Sequence, residues 1–258
     1  MQLNEKISQW LSLAKTYEQA LPTAPASDRL SMPSSLELAA MIDHTLLKPE
    51  ATAAQVETLC QEAIMNGFAS ACIQPVYVPL VASLLQGYDV KVCTVIGFPL
   101  GSNLSQSKID EASRCIQEGA VELDMVLWVG GMKNQAYAQV YEEIAGVTEL
   151  AHENNVLLKV ILETSSLTQI EKIMACLICK DVGVDFVKTS TGFASGGATV
   201  QDVDLMHRVV GPQVRVKASG GIRSLKDVLS MIQAGASRLG TSSGVRIMDE
   251  AKKSQGNP

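Results

Sequence analysis

The chain reads as a (β/α)8 barrel preceded by an N-terminal helical extension, and three observations carry that reading. Eight short apolar segments recur near 40–43, 69–73, 90–96, 121–126, 156–162, 184–188, 213–217 and 237–240. Segments of helical periodicity alternate with them, near 52–66, 76–86, 104–118, 134–154, 167–182, 200–210 and 224–234. Such alternation marks a parallel sheet wound with helices. The length of 258 residues suits one barrel, since that fold typically takes ~250. A doubly wound open sheet is the structural rival. The count of eight strands and the lack of an early Gly-x-Gly-x-x-Gly argue against it.

The elements follow in order. Leu3, Ile7, Trp10, Leu11, Ala14 and Tyr17 fall at helical spacing, so residues 1–20 form an amphipathic helix. Residues 21–35 are rich in Pro, Ser and Ala and read as a connector. Residues 1–37 are thus an extension that docks on the barrel or caps one end; partner binding or targeting is the weaker alternative. The barrel takes residues 38–258, with no Pro/Gly linker to divide it. Thr52, Asn103, Thr168 and Ser224 stand where helices should start, as N-caps. Gly67, Gly87, Gly119, Gly183, Gly211 and Gly235 stand where helices should stop.

Composition narrows the function. The chain is 47% hydrophobic and 19% charged, with net charge −6. A clustered basic excess, the footprint of nucleic-acid binding, is missing. A small anionic substrate stays open, because a site's field need not follow net charge. Of six cysteines, Cys60, Cys72, Cys93, Cys115, Cys176 and Cys179, only the last two have metal-like spacing. They fall mid-helix with no second pair nearby and read as structural. The pattern favours reduced thiols in the cytoplasm. No apolar run is long enough for a bilayer, and the N-terminus lacks a secretory signal's cationic start and apolar core.

Three lysines carry the chemistry. Lys188 closes the sixth apolar segment, and Lys159 and Lys217 lie 29 residues before and after it. One strand–helix repeat of that length puts all three on consecutive strands. Alternate residues of a barrel strand point inward. If Lys188 does so, Phe186 and Val184 follow; Lys217 brings Arg215, Lys159 brings Ile161 and Glu163, Asp124 brings Glu122, and Asp43 brings Met41. The interior then holds acids and bases in rough balance, as buried charges must. Such a set could simply tie a polar layer together. Its position near the C-terminal strand ends, where barrel active sites lie, favours catalysis. A lysine nucleophile must be unprotonated, whereas free lysine titrates at ~10.4. Burial and a second ammonium, Lys217, would help keep Lys188 neutral, and Asp124 could shuttle protons. A protonated imine is an electron sink beside which a carbon–carbon bond can break or form.

Two Gly/Ser loops follow the last strands: Ala218-Ser219-Gly220-Gly221 and Gly240-Thr241-Ser242-Ser243. Backbone N–H groups in such loops, beside a helix N-terminus, bind phosphate in many barrels. Tight turns are the plainer alternative. Ser195-Gly196-Gly197 either extends that site or is a flexible loop. His152 and His207 read as surface residues. His44, beside Asp43 near the mouth, could orient a neighbour but lacks partners for a metal role.

Six motifs occur in order between about residues 38 and 248: Ile42–Pro49, Val92–Gly101, Glu122–Val126, Leu158–Thr164, Val187–Phe193 and Val216–Gly221. They resemble the deoxyribose-phosphate aldolase family, Schiff-base aldolases on a (β/α)8 barrel. The resemblance implies reversible cleavage of 2-deoxy-D-ribose 5-phosphate to acetaldehyde and D-glyceraldehyde 3-phosphate, with no metal and no organic cofactor. Lys188 matches the imine-forming lysine, Lys217 its cationic partner and Asp124 the acid–base carboxylate. Gly220, Gly221, Gly240, Thr241, Ser242 and Ser243 match the phosphate grip, and Thr191, Asp43 and Lys159 are assigned to the substrate. Members act in deoxyribonucleoside catabolism in the cytoplasm, often as homodimers or homotetramers, without nucleic acid or membrane partners. Gln74 and Trp128 depart from the family's pattern, the first beside the substrate hydroxyls, the second over the mouth. Two other readings remain: a phosphate-binding barrel lyase or isomerase for another short phosphosugar, and a non-catalytic barrel that binds a phosphorylated metabolite.

Overall fold

Eight parallel strands close on themselves in a computed structural model that describes residues 2–20 and 33–254. They are β1 (Ile42–Leu46), β2 (Ser70–Ile73), β3 (Lys91–Ile96), β4 (Glu122–Val126), β5 (Leu157–Ile161), β6 (Phe186–Lys188), β7 (Arg215–Ser219) and β8 (Arg238–Thr241). Each pairs with the next, and β8 returns to β1 with Gly240 opposite Asp43. Around them run α1 (Leu3–Ala20), α2 (Ser35–Ala39), α3 (Ala53–Asn66), α4 (Val78–Leu84), α5 (Ser105–Gln117), α6 (Val129–Lys133), α7 (Tyr137–Glu153), α8 (Gln169–Val182), α9 (Val200–Val210), α10 (Leu225–Ala234) and α11 (Gly244–Ser254). This is the (β/α)8 barrel that the alternation predicts.

The two faces of each strand go to different places. Leu123, Met125, Leu158, Val160, Val187, Val216 and Leu239 pack outward into the layer beneath the helices. Their neighbours in sequence point inward and are mostly polar. A small apolar group of Leu47, Cys72, Cys93 and Val95, with Phe98 against it, occupies the interior on the β2–β3 side.

Local chemistry accounts for most helix ends. Thr52, Thr168 and Ser224 each form a capping box, accepting from the backbone N–H three residues on. Asn103 does not cap α5; Leu104 occupies that position and makes no side-chain cap bond. The predicted helix over 134–154 is α7, and a short helix that was not predicted, α6, precedes it. Trp128 folds over Gly131 so closely that a Cβ there would lie 2.4 Å from its ring. The short α2 and the final α11 lie outside the predicted helices. Strand β1 runs to Leu46 rather than ending near 43, because its Asp43, His44 and Thr45 break an apolar run without breaking a strand.

Helix α1 docks against α7 and α8 on the barrel's flank, not over an end. Trp10 and Ala14 are buried. Trp10 stacks on Tyr141 with centroids 5.7 Å apart, and Lys6 pairs with Asp181 at 2.6 Å. That cover explains why α8 is buried continuously from Ile173 to Cys179: a helix with neighbours on both faces needs no polar stripe. Cys176 and Cys179 are therefore core residues, and burial pushes both thiols up. Residues 21–32 of the predicted connector lie outside the described residues. Among the described residues no helix is long and apolar enough to cross a membrane.

Candidate active site

A cavity of about 450 Å³ opens at the C-terminal end of the strands. Lys188, at the end of β6, forms part of its floor and is 3% exposed. Its Nζ donates to Asp124 Oδ2 at 2.7 Å, and Lys217 Nζ donates to the same oxygen at 2.6 Å. The other oxygen, Oδ1, accepts from Lys159 Nζ at 2.8 Å and from the Cys93 thiol at 3.4 Å. Strands β4, β5, β6 and β7 thus converge on one carboxylate because each turns its lysine or aspartate inward at a matched height. The register pairs Asp124 with Lys159 and Lys188 with Lys217.

The electrostatics keep Asp124, Lys159 and Lys217 ionised. Burial acts to raise the Asp124 carboxyl, but Lys159, Lys188 and Lys217 override it and hold it well below the usual range. Burial acts to lower Lys217, but Asp124 and then Asp43 override it and raise the group above the ordinary lysine value. Lys217 is therefore a firmly protonated neighbour of Lys188, joined to it through a shared anion rather than by direct cationic contact.

The opposite wall is built from the loops after β7 and β8. Gly220 and Gly221 both have positive φ, 90° and 81°. A Cβ on Gly197 would lie 2.3 Å from the Gly220 carbonyl, and Ala198 N donates to that carbonyl at 2.9 Å. The Ser195-Gly196-Gly197 stretch is therefore a buttress for the β7 loop. Thr241 Oγ1 donates to the Ile222 carbonyl at 2.8 Å and accepts from Ser243 N at 2.9 Å, tying the two loops together. Gly220, Gly221, Gly240, Thr241 and Ser242 line the cavity, with Lys48 and Arg223 also on its walls. Thr191 lines it too; Glu163 accepts from its hydroxyl at 2.5 Å and from its N–H at 3.2 Å.

Several expectations need correction. Asp43 and Lys159 do not line the cavity; both are fully buried beneath it, in ion pairs. Ser243 faces a separate hollow with His44 and Glu62. His44 points outward from β1 and pairs with Glu62 at 2.7 Å, away from the lysines. Arg215 is exposed rather than interior, with its guanidinium over the Phe186 ring at 4.0 Å. Glu163 serves the Thr191 loop, not the ammonium groups. Met41 and Val184 precede their strands, so alternation does not apply to them, and both pack in the outer layer. Trp128 immediately precedes α6, packs over Gly131 and does not line the cavity. Gln74 donates to the Leu47 carbonyl at 2.9 Å and stays clear of the cavity.

Some site residues went unread in the sequence. Arg238 reaches inward to Asp43 and Glu122; carrying the inward alternation to the eighth strand through Gly240 would have found it. Cys72 and Cys93 pair in register on β2 and β3. With Asp124 they place three potential donor atoms within 4.8 Å of one another. Both Asp124 oxygens already accept from ammonium groups, an electrostatic setting that opposes a further cation.

Comparison with known proteins points to one family. The family model described as DeoC/LacD family aldolase matches residues 38–249. A protein named deoxyribose-phosphate aldolase from Carboxydothermus hydrogenoformans is 54% identical over 219 residues, covering 84% of this chain and 96% of that protein. One of the same name from Thermococcus gammatolerans is 50% identical over 222 residues, covering 85% and 99%. The solved structure of deoxyribose phosphate aldolase from Aeropyrum pernix, described as tetrameric, superposes with a TM-score of 0.80 at 34% identity, covering 98% of this chain and 99% of that one.

Proposed function

The chain belongs to the DeoC/LacD aldolase family, and from that premise we propose reversible cleavage of 2-deoxy-D-ribose 5-phosphate to acetaldehyde and D-glyceraldehyde 3-phosphate, through an imine on Lys188. The observation that supports this most is Asp124 Oδ2, shared by Lys188 and Lys217 at the floor of a cavity walled by glycine loops.

The unprotonated Lys188 amine attacks C1 of the open-chain sugar, giving a carbinolamine. Asp124, with Lys217 as proton source, moves the protons that let water leave. The resulting iminium draws electrons from the C2–C3 bond as the C3 hydroxyl loses its proton. Glyceraldehyde 3-phosphate departs, and the enamine left on Lys188 takes a proton at C2. Hydrolysis releases acetaldehyde and restores the amine. The phosphate rests on the N–H groups of Gly220, Gly221, Gly240 and Ser242, with Arg223 and Lys48 adding positive field. Thr241 and Thr191 hold those loops in shape. Asp43 and Lys159 act from beneath the floor. The chain itself supplies the group for every step.

The reading extends to a homodimer or homotetramer in a reducing cytoplasm. The tetrameric relative supports the first, and six unbridged buried cysteines the second.

Borohydride trapping with acetaldehyde, read by intact mass and peptide mapping, tests the mechanism. One ethyl group on Lys188 is the expected product. Lys188→Ala should lose the adduct and at least ~10³-fold of turnover while remaining folded. A folded protein with no adduct, or an active Lys188→Ala, would overturn the assignment.

A further inference from the structure

Five buried ionic groups and the partly buried Arg238 close into a circuit. Arg238 meets Asp43 at 2.7 Å, and Asp43 meets Lys217 at 2.5 Å. Lys217 meets Asp124 at 2.6 Å, and Asp124 meets Lys159 at 2.8 Å. Lys159 meets Glu122 at 2.7 Å, and Glu122 returns to Arg238 at 2.5 Å. The signs alternate throughout. Three cations and three carboxylates, drawn from β1, β4, β5, β7 and β8, form a neutral ring in which each member has two opposite neighbours, and a longer contact from Lys159 to Asp43, 4.0 Å, crosses it.

Lys188 stands outside that ring and touches it only at Asp124 Oδ2. Its charge, when present, has no counter-ion that the ring has not already paired. The remaining strands bring nothing that changes the balance. Ser70 on β2 donates to Asp43, the Cys93 thiol on β3 donates to Asp124, and Cys72 sits beside Cys93. Phe186 on β6 lies beneath, with Arg238 5.9 Å from its centroid. Glu163, on the loop after β5, is bonded to Thr191. A charge added to or removed from this ring is therefore felt at Lys188 through Asp124.

We propose that the net charge of this ring sets whether Lys188 carries a proton, with Arg238 and Glu122 as positioning residues that act through the ring and never touch substrate. The proposal rests on imine chemistry at Lys188. Arg238 reaches the nucleophile through Asp43, Lys217 and Asp124, and Glu122 reaches it through Lys159 and Asp124. Removing Glu122's charge leaves the ring positive and favours the free amine. Removing Arg238's charge leaves it negative and favours the ammonium. The two changes therefore push in opposite directions although each breaks two contacts of the ring.

The test is the pH midpoint of ethyl-Lys188 formation by the full chain with acetaldehyde and cyanoborohydride, read by peptide mass. Glu122→Gln should move the midpoint to lower pH and Arg238→Met to higher pH. Each shift should be roughly one pH unit, the effect of one charge across a barrel interior at an effective dielectric of about 20. Arg238→Lys, which keeps the charge, should leave it in place, and Glu122→Gln with Arg238→Met together should bring it back. If Arg238→Met does not fold, Glu122→Gln and the double variant carry the sign. Shifts of the same sign, or no shift in folded variants, overturn the ring's role. A wild type that forms no adduct on Lys188 would instead overturn the imine beneath it.

Discussion

Asp124 and Asp43 show how far a residue's surroundings can invert its habits. Both are fully buried, yet both stay ionised because ammonium and guanidinium groups surround them. Their pH linkage has a definite sign. A carboxyl whose folded value is depressed adds stability that is complete above its unfolded value, ~3.9, and is lost as pH falls through the folded value. Lys159 and Lys217 are raised, so their contribution is complete below ~10.4 and is lost above it. Thermal unfolding should therefore be nearly level from about pH 5 to 9 and fall steeply below about pH 4. Calorimetry at pH 7 and pH 3 checks this; an equal Tm at both would refute it. Glu163 shows a different cost. It takes φ 55° and ψ 60°, a left-handed conformation unusual for its residue type. That turn brings its carboxylate under Thr191, so local strain and loop support occur at one residue.

Between elements, the clearest tie outside the ring is Lys108. It is fully buried on α5, where its Nζ donates to the Val126 carbonyl at 2.9 Å and to Glu143 of α7 at 2.8 Å. Val126 is two residues past Asp124 on β4, so this contact holds the strand end that carries the shared carboxylate. Burial lowers Lys108 and raises Glu143, each partly offset by the other. Removing one member strands the other. Lys108→Met should cost about 3–5 kcal/mol in chemical denaturation, and adding Glu143→Leu should recover part of it. A single-variant cost under about 1 kcal/mol would show the pair to be dispensable.

For the whole molecule, the open question in solution is assembly. Leu36, Met65, Val76, Leu100 and Leu104 are each at least three-quarters exposed, supplying apolar surface that association would cover. Sedimentation velocity of the full chain should give a dimer or tetramer; a monomer at micromolar concentration would contradict the proposal. At this scale α1 also finds its role as a flank cover. The sequence shows its apolar stripe but not the surface that receives it, because Tyr141 and Asp181 lie far along the chain.

Strand number, helix alternation, most caps and the lysine triad were legible in the sequence, because each depends on spacing within one or two elements. Asp124, Lys188 and Lys217 could be placed together because inward alternation is a local rule and the strand repeat is regular. What a residue does once inside was less legible. Asp43 and Lys159 look like cavity residues until the register sets them below the floor. Arg215 and Arg238 have the same inward alternation, but one stands exposed at the start of β7 and the other sits in the ion ring. The Ser195-Gly196-Gly197 loop looks free until Gly197 meets Gly220. The sequence by itself determined the barrel and the chemical groups that converge in it. Only the tertiary structure decided which charges pair into a neutral ring and which lysine is left outside it, because that balance depends on distances among five strands that no local pattern encodes.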